Sequence, residues 1–326
     1  MNQQRLPHGL NALTEFIGTI LMSAYVKGGK RLSSIIISLP DTGKTETLMQ
    51  YKGNEGVYFL SDCTAFGVIR FLLADIRSGK IKHIVIPDFL KILQRKPAVA
   101  NELISLLNSL SEEGFIGSFT FNIQIFVDQP IICGFITALT TDEYDKIKKR
   151  WKKIGFSSRI VPFFFGYNSE DLQKAFNDIL FGRNPFHQIA LPIPSLPQEV
   201  SISDTHRLEI GKIAKFAGKI NNDFTVFRTI RNMLTFVKAH ALLKGRTQVT
   251  DEDVAFLRSL IPFWFCPIVG NDCDYYIIRT LPTKAPQIVQ KLKGIYSKSL
   301  IYERLKELET KGVIKKDKNG VWHTNY

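Results

Sequence analysis

The sequence predicts an α/β core on a parallel sheet, then an all-helical segment, then a small unit of two helices and a hairpin. Three observations carry this. Up to residue 168, short β-branched apolar runs alternate with helical periods, the pattern of strands joined by covering helices. From "DTHRLEIGKIAKFAGKI" to "DEDVAFLRSLIPFWF" the periodic segments read helical. The last stretch, "APQIVQKLKGIYSKSLIYERLKELETKGVIKKDKNGVWHTNY", gives two short helices and a Lys-rich hairpin. The expected units are 1–168, 169–268 and 272–326.

The elements follow in order. "LNALTEFIGTILMSAYV" is interrupted by Thr14, Glu15, Gly18 and Ser23, so it reads as an amphipathic helix, too short and mixed to cross a bilayer. "LSSIIIS" is a buried strand and "TETLMQY" a helix. "GVYFLSD" is the second strand, "TAFGVIRFLLADIRSGK" a helix, and "IKHIVIPDF" a third strand ending in Asp88. "PAVANELISLLNSLSEEG" is a helix with Pro97 near its start and Gly114 at its end. "SFTFNIQIFVDQP" and "IICGFITALTTDEYD" are extended, with a turn expected at Asp128-Gln129-Pro130. "YDKIKKRWKKIGF" is a basic helix whose lysines read as a solvated face, "RIVPFFFGYN" the last core strand, and "SEDLQKAFNDILFG" a helix opened by Ser169. Residues 183–203 carry four prolines and no helical period, so they form a linker or an ordered connecting arm. "TQVTDEDVAFLRSL" begins a helix with Thr250 as N-cap and Asp253 at the third position.

The stretch "SLPDTGKTE", Ser38, Leu39, Pro40, Asp41, Thr42, Gly43, Lys44, Thr45 and Glu46, lies between a strand and a helix. That is the context of a phosphate-binding loop. A triphosphate requires backbone N–H groups around it, a positive charge near its outer phosphates and a hydroxyl for magnesium. Gly43 permits close backbone approach, Lys44 supplies charge, and Thr45 supplies the hydroxyl. Ser38 stands where such loops open on Gly, and the Asp41 carboxylate must point outward. Asp88 is the expected magnesium-side acid. Its neighbours Pro87 and Phe89 leave the strand one acid short, which predicts slow hydrolysis or binding without turnover.

Taken together, "SLPDTGKT", "IVIPDF", "ITALTTDE", "GFSSR", "FRTIRN" and "KGRTQVTDEDV" resemble an AAA+ ATPase over roughly residues 8 to 262. The segment "RTIRNMLTFVKAHALLKGRTQVTDEDV" is similar to the lid helices of MoxR-like and related proteins. The resemblance implies ATP and Mg2+ as ligands. It implies that Thr141, with Thr140, ends the fourth strand against the γ-phosphate. It implies that Arg159, after Ser158, is an arginine finger offered to a neighbouring subunit, hence a homo-oligomer. Arg228 takes the sensor-2 position, with Arg231 one turn later as the alternative.

The C-terminal stretch looks like a winged helix-turn-helix. Ser297 caps its second helix, Gly312 stops it, and Leu300, Ile301, Leu305 and Leu308 mark the buried stripe. Lys298, Ser299, Tyr302 and Lys306 then face outward. Asn319-Gly320 is expected as a two-residue hairpin turn, with Lys315, Lys316 and Lys318 at the tip, where phosphate contacts fall.

The chain has 326 residues, 44% hydrophobic, with a net charge of +13, a balance that favours polyanion partners. Cys63, Cys133, Cys266 and Cys273 show no paired spacing, which predicts a reducing, cytoplasmic setting. No signal-peptide pattern opens the sequence. The six histidines, His8, His83, His187, His206, His240 and His323, show no metal spacing, and "PFFFGY" and "PFWF" read as core. The expected function is ATP-dependent assembly on double-stranded DNA to load or remodel a partner. The alternatives are a non-hydrolysing DNA-bound switch or scaffold, and a MoxR-like chaperone whose winged helix docks a protein.

Overall fold

The computed structural model describes residues 9–119, 124–167, 169–182, 186–221, 226–264 and 272–325. His8, Cys266 and the expected end of the second unit at 268 lie outside the described residues. Helix α1 (Asn11–Met22) leads into β1 (Ser33–Ser38), every residue of which is buried. Then come α2 (Lys44–Met49), β2 (Gly56–Phe59), α3 (Ala65–Gly67), α4 (Leu73–Arg77), β3 (Ile81–Ile86), α5 (Leu90–Leu93) and α6 (Pro97–Ser111). A hairpin of β4 (Phe115–Phe119) and β5 (Gln124–Ile131) precedes β6 (Gly134–Thr140), α7 (Thr141–Lys153), β7 (Ile160–Phe164) and α8 (Ser169–Leu180).

The main sheet has five strands in the order β2-β3-β6-β1-β7, all parallel, so the fold is the α/β class expected. Strand polarity gives the sheet two chemically distinct edges. Ser38, Ile86, Thr140 and Phe164 end strands at the carboxyl edge; Ser33, Ile81, Gly134 and Ile160 begin them at the amino edge. In open α/β sheets ligands collect at the carboxyl edge.

Two expectations change within the α/β core. The expected turn at Asp128-Gln129-Pro130 is absent, because β5 runs through it and pairs with β4 outside the main sheet. A two-stranded hairpin leaves one side of each strand unpaired, a setting that tolerates Pro130 within a strand. Gly114 holds φ +85, and a Cβ there would fall 2.5 Å from that of Pro130. The helix expected over 64–80 is broken as well: a wider π-type turn at Val68–Leu72 separates α3 from α4.

Of the described residues in 183–203, none forms a named helix or strand, yet the part from Ile189 to Ser201 is tied down by hydrogen bonds. The Asn54 amide donates to Ile189 O at 2.7 Å, and its oxygen accepts from Leu191 N at 2.8 Å. Gln198 N reaches Tyr25 O at 2.8 Å, and Ser201 N reaches Thr247 O at 3.0 Å. It is an ordered arm.

The helical segment comprises α9 (Asp204–Asn221), α10 (Phe227–Leu243), α11 (Asp251–Ser259) and α12 (Ile261–Trp264). It shares one core with the sheet. Phe16 of α1 lies 4.7 Å from Phe163 and 5.7 Å from Phe236, and Phe263 stacks on Phe163 at 4.6 Å. A buried polar network joins the same parts. His240 on α10 is 1% exposed. It contacts the Asp253 carboxylate at 2.6 Å and Glu15 of α1 at 3.0 Å. Arg246 donates to Asp253 at 2.8 Å, and Asp253 accepts from Thr250 N at 2.8 Å.

After α13 (Asp272–Arg279) and β8 (Thr283–Lys284) come α14 (Ala285–Lys291), α15 (Lys298–Thr310), β9 (Ile314–Lys316) and β10 (Val321–Thr324). The three short strands form an antiparallel sheet, β8-β10-β9. The hairpin turn is longer than the two residues expected. Asp317 N donates to Val321 O, while the Asp317 carboxylate accepts from Asn319 N at 2.9 Å and Val321 N at 2.8 Å. Among the described residues, no helix is long and apolar enough to cross a membrane.

Candidate functional site

The loop after β1 sits at the carboxyl edge, beside the end of β6, with Ser38 paired to Thr140. Gly43 caps α2 in the left-handed region, φ +79, and a Cβ there would press on Leu10 at 3.0 Å and Phe186 at 3.3 Å. Only glycine avoids both the strain and the crowding. Asp41 also has positive φ, +55, and its side chain is exposed, the outward direction its charge requires. Thr42 Oγ1 donates to Leu39 O at 2.9 Å, and the Tyr167 hydroxyl donates to Thr42 O at 3.2 Å. These bonds brace the loop from inside and from the strand β7 side.

Lys44 folds back over the loop. Its ammonium donates to Ser38 O at 3.3 Å, to Thr42 Oγ1 at 3.3 Å and to Leu39 O. Burial lowers its pKa, against the opposing pull of Asp41, Glu143 and Glu46. Carbonyl oxygens are weak partners for a desolvated ammonium, so an anion at the loop would be a stronger one. Pro40, Thr45 and Glu46 are exposed. Among the described residues the buried Ser38 hydroxyl has no hydrogen-bond partner. A positive-φ glycine, a partly desolvated lysine and an exposed Thr45 hydroxyl on one turn fit a phosphate chain with its magnesium.

Asp88 follows β3, two strands from β1. Its side chain is exposed, and Oδ1 accepts from Leu90 N at 3.0 Å, opening α5. The neighbouring Phe89 is fully buried, edge-on to Trp151 at 5.8 Å. Packing therefore explains the missing second acid: that position belongs to the core. Thr140 caps α7, accepting from Glu143 N at 3.4 Å, while Thr141 is buried in the first turn. Glu143, whose charge raises the Lys44 pKa, is a carboxylate that sequence reasoning missed. The "TTDE" capping pattern was its visible signal.

The two arginines lie elsewhere. Arg159 directly precedes β7, and Lys30 precedes β1, so both sit at the amino edge, opposite the phosphate loop. Glu112, just past α6, gathers them. Its carboxylate is 2.8 Å from Lys30, 3.3 Å from Arg159 and 2.7 Å from Arg228. Arg159 also pairs with Glu113 at 2.8 Å, and Arg228 donates to Ser158 Oγ at 2.7 Å. Burial would raise the Glu112 pKa, but Lys30 and Arg228 together hold it below its usual value. The structure thus brings Arg228 to Arg159 and not to Lys44, and Arg231 is exposed on the next turn. Glu112 lies in "SEEG", where nothing but tertiary contact distinguishes it from Glu113.

On α15, Lys298, Ser299, Tyr302 and Lys306 are exposed on one face, while Ile301, Leu305 and Leu308 are buried on the other. Ser297 Oγ caps the helix through Leu300 N at 3.3 Å. Arg304 fastens α15 to α13 through Asp274, at 2.7 Å and 2.6 Å, an anchor the sequence did not reveal. Lys315, Lys316 and Lys318 are exposed around the hairpin, with Lys316 over the Trp322 ring at 5.7 Å. Among the described residues no cluster of His, Cys, Asp and Glu could hold a metal ion on its own.

No protein-family model matches the chain, and no curated protein matches it. Among solved structures it is similar to a full-length MCM homolog from Methanopyrus kandleri, at 12% identity and a TM-score of 0.48. That match covers 81% of this chain and 57% of the homolog, so the chain spans little more than half of it. It is also similar to the Aeropyrum pernix ORC2 protein, solved in ADPNP–ADP complexes. There the identity is 11% and the TM-score 0.36, over 99% of this chain and 92% of that one. Both likenesses are distant, and the fold stands on the strand order given above.

Proposed function

We propose that this chain is an AAA+-type protein that binds ATP with Mg2+ and assembles with copies of itself on double-stranded DNA, so as to load or remodel a partner. The observation that carries the reading is the loop at Gly43–Lys44, a positive-φ glycine and a half-desolvated ammonium at the carboxyl edge of a central parallel strand. Ser38, Leu39, Pro40, Asp41, Thr42 and Gly43 shape the cradle, Lys44 holds the outer phosphates, and Thr45 with Asp88 holds magnesium. Glu46 lies in the first turn of the following helix. Bound Mg-ATP supplies the phosphoanhydride, and Thr141 reads its outer end from the first turn of α7, directly after the neighbouring strand. Arg159, with Arg228 beside it, belongs to a surface offered to the next subunit, where Glu112 keeps both guanidiniums in place. The C-terminal unit acts as a winged helix, α15 facing the major groove and the hairpin lysines meeting phosphates.

A second reading, a switch that binds ATP without hydrolysing it, is favoured by Phe89, a core residue where a second acid would stand. Phosphate release from ATP, with and without duplex DNA, separates the two. Turnover stimulated by DNA supports the remodeller; tight binding without turnover supports the switch. A protein-docking chaperone would show neither DNA effect.

The DNA interface has its own test. Replacing Lys315, Lys316 and Lys318 with Ala is expected to weaken duplex binding evenly across sequences. It should also flatten the salt dependence by up to about 0.9 log units per log unit of salt for each lost phosphate contact. An unchanged slope in a fluorescence-anisotropy titration would remove the hairpin from the interface.

A further inference from the structure

A cavity of about 370 Å³ opens on the molecule away from the phosphate loop, between the sheet, α7 and the helices α9 to α12. Its size falls among small-molecule pockets, about 300–1,000 Å³. The walls are apolar: Ile35 of β1, Trp151 of α7, Leu257 of α11 and Trp264 of α12 take part. Helix α10 presents Thr229, Asn232, Met233 and Phe236, the spacing of a single helix face.

The lining also carries hydroxyl and amide groups, Tyr144, Ser158, Thr229 and Asn232, which can donate or accept. Arg228 and Lys152 are cations, and none of the described lining residues is Asp or Glu. Among the described residues the indole N–H of Trp264 has no hydrogen-bond partner although the residue is 4% exposed, and the Ser157 hydroxyl, on the same lining, is also buried without one. A buried indole N–H ordinarily finds an acceptor, and leaving it dry is costly. Arg228 uses Nε on Glu112 and Nη1 on Ser158, and a guanidinium has further N–H groups to donate. The lining therefore offers apolar area and unspent donors together, beside an arginine whose charge is already paired with Glu112.

We propose that this cavity binds a small amphipathic anion, its apolar body against the aromatic and aliphatic walls and its acidic head accepting from the Trp264, Ser157 and Arg228 donors. The occupant would touch β1, β7 and α7 on one side and α9 to α12 on the other. It would therefore tie the sheet to the helical segment. This inference requires no nucleotide at the phosphate loop, although it shares Arg228 with the proposed subunit surface.

Decanoate is the probe, titrated into the full chain by calorimetry beside decanol and decyltrimethylammonium. Decanoate is expected to bind about tenfold more tightly than either, as one charge-assisted contact allows. Arg228→Met and Trp264→Phe should each remove that preference while decanol binding stays the same. Saturating ATP should not displace decanoate. Equal binding of all three probes, no decanoate binding, or an unchanged preference in both variants would overturn the proposal. A photoreactive decanoate analogue tests the unmodified chain: cross-links on α7, α10 or α12 support the site. Cross-links confined to the exposed apolar residues Leu172 and Phe176 of α8 would place the ligand on that surface and overturn it.

Discussion

Replacing Lys44 with Ala is expected to lower ATP affinity about 10- to 100-fold, the range that loss of a charge-assisted hydrogen bond of about 1.5–3 kcal/mol allows. The effect should exceed that of any other single change in the loop. Lys44 is the one cation on the loop itself, where it contacts Ser38 O, Leu39 O and Thr42 Oγ1. In the free chain the ammonium is partly buried against carbonyls, so the variant should fold with near-unchanged stability. Calorimetric titration with ATP and Mg2+ gives the affinity, and urea denaturation gives the fold. Affinity equal to the parent chain would mean that nucleotide, if bound at all, is held elsewhere.

The largest effect on stability is expected at Asp253. Its side chain is fully buried and meets His240, Arg246 and Thr250 N. Asp253→Ala leaves Arg246 and His240 facing an empty, desolvated site, a loss of about 3–5 kcal/mol for a broken buried pair. The dependence on pH follows from the shifts. Burial lowers the His240 pKa, but the hydrogen bonds to Asp253 and Glu15 outweigh it and raise the pKa above its ordinary 6.5. That contribution is complete below pH 6.5 and is lost as pH rises through the raised value. Asp253, despite the upward push of burial, is held below its ordinary 3.8 by His240, Thr250 and Arg246. Glu15 is held below 4.5, first by His240. Their contributions are complete above those ordinary values and fade as pH falls through the lowered ones. The network is therefore strongest between the ordinary carboxylate values and 6.5. Urea midpoints of parent and variant should differ more at pH 6 than at pH 9. A gap that widens with pH would mean that His240 is neutral in the fold.

What the sequence disclosed was local. The β-branched run at Ser33–Ser38, the Gly-Lys-Thr turn and the Ser297 cap each act through neighbours in the chain, and each is visible as a pattern. The β4–β5 hairpin was not visible, because Pro130 signals a turn wherever edge pairing is unknown. The Thr250–Asp253 cap was legible, yet its meaning lies in His240 and Glu15, 13 and 238 positions away from Asp253. Glu112 has no sequence signature at all: three cations converge on it from ahead of β1, ahead of β7 and the start of α10. The cavity beside Trp264 is likewise a product of packing between distant segments. Patterns of period and capping report a residue's neighbours along the chain; the charge clusters and the cavity depend on where the sheet puts its two edges.

The claim that nucleotide governs assembly on DNA is tested most directly by mass photometry of the chain on a short duplex, with Mg-ATP and without it. The account predicts one or more added copies per duplex with ATP and none added for Lys44→Ala. The same mass distribution with and without ATP, for a chain shown to bind both ligands, would contradict it.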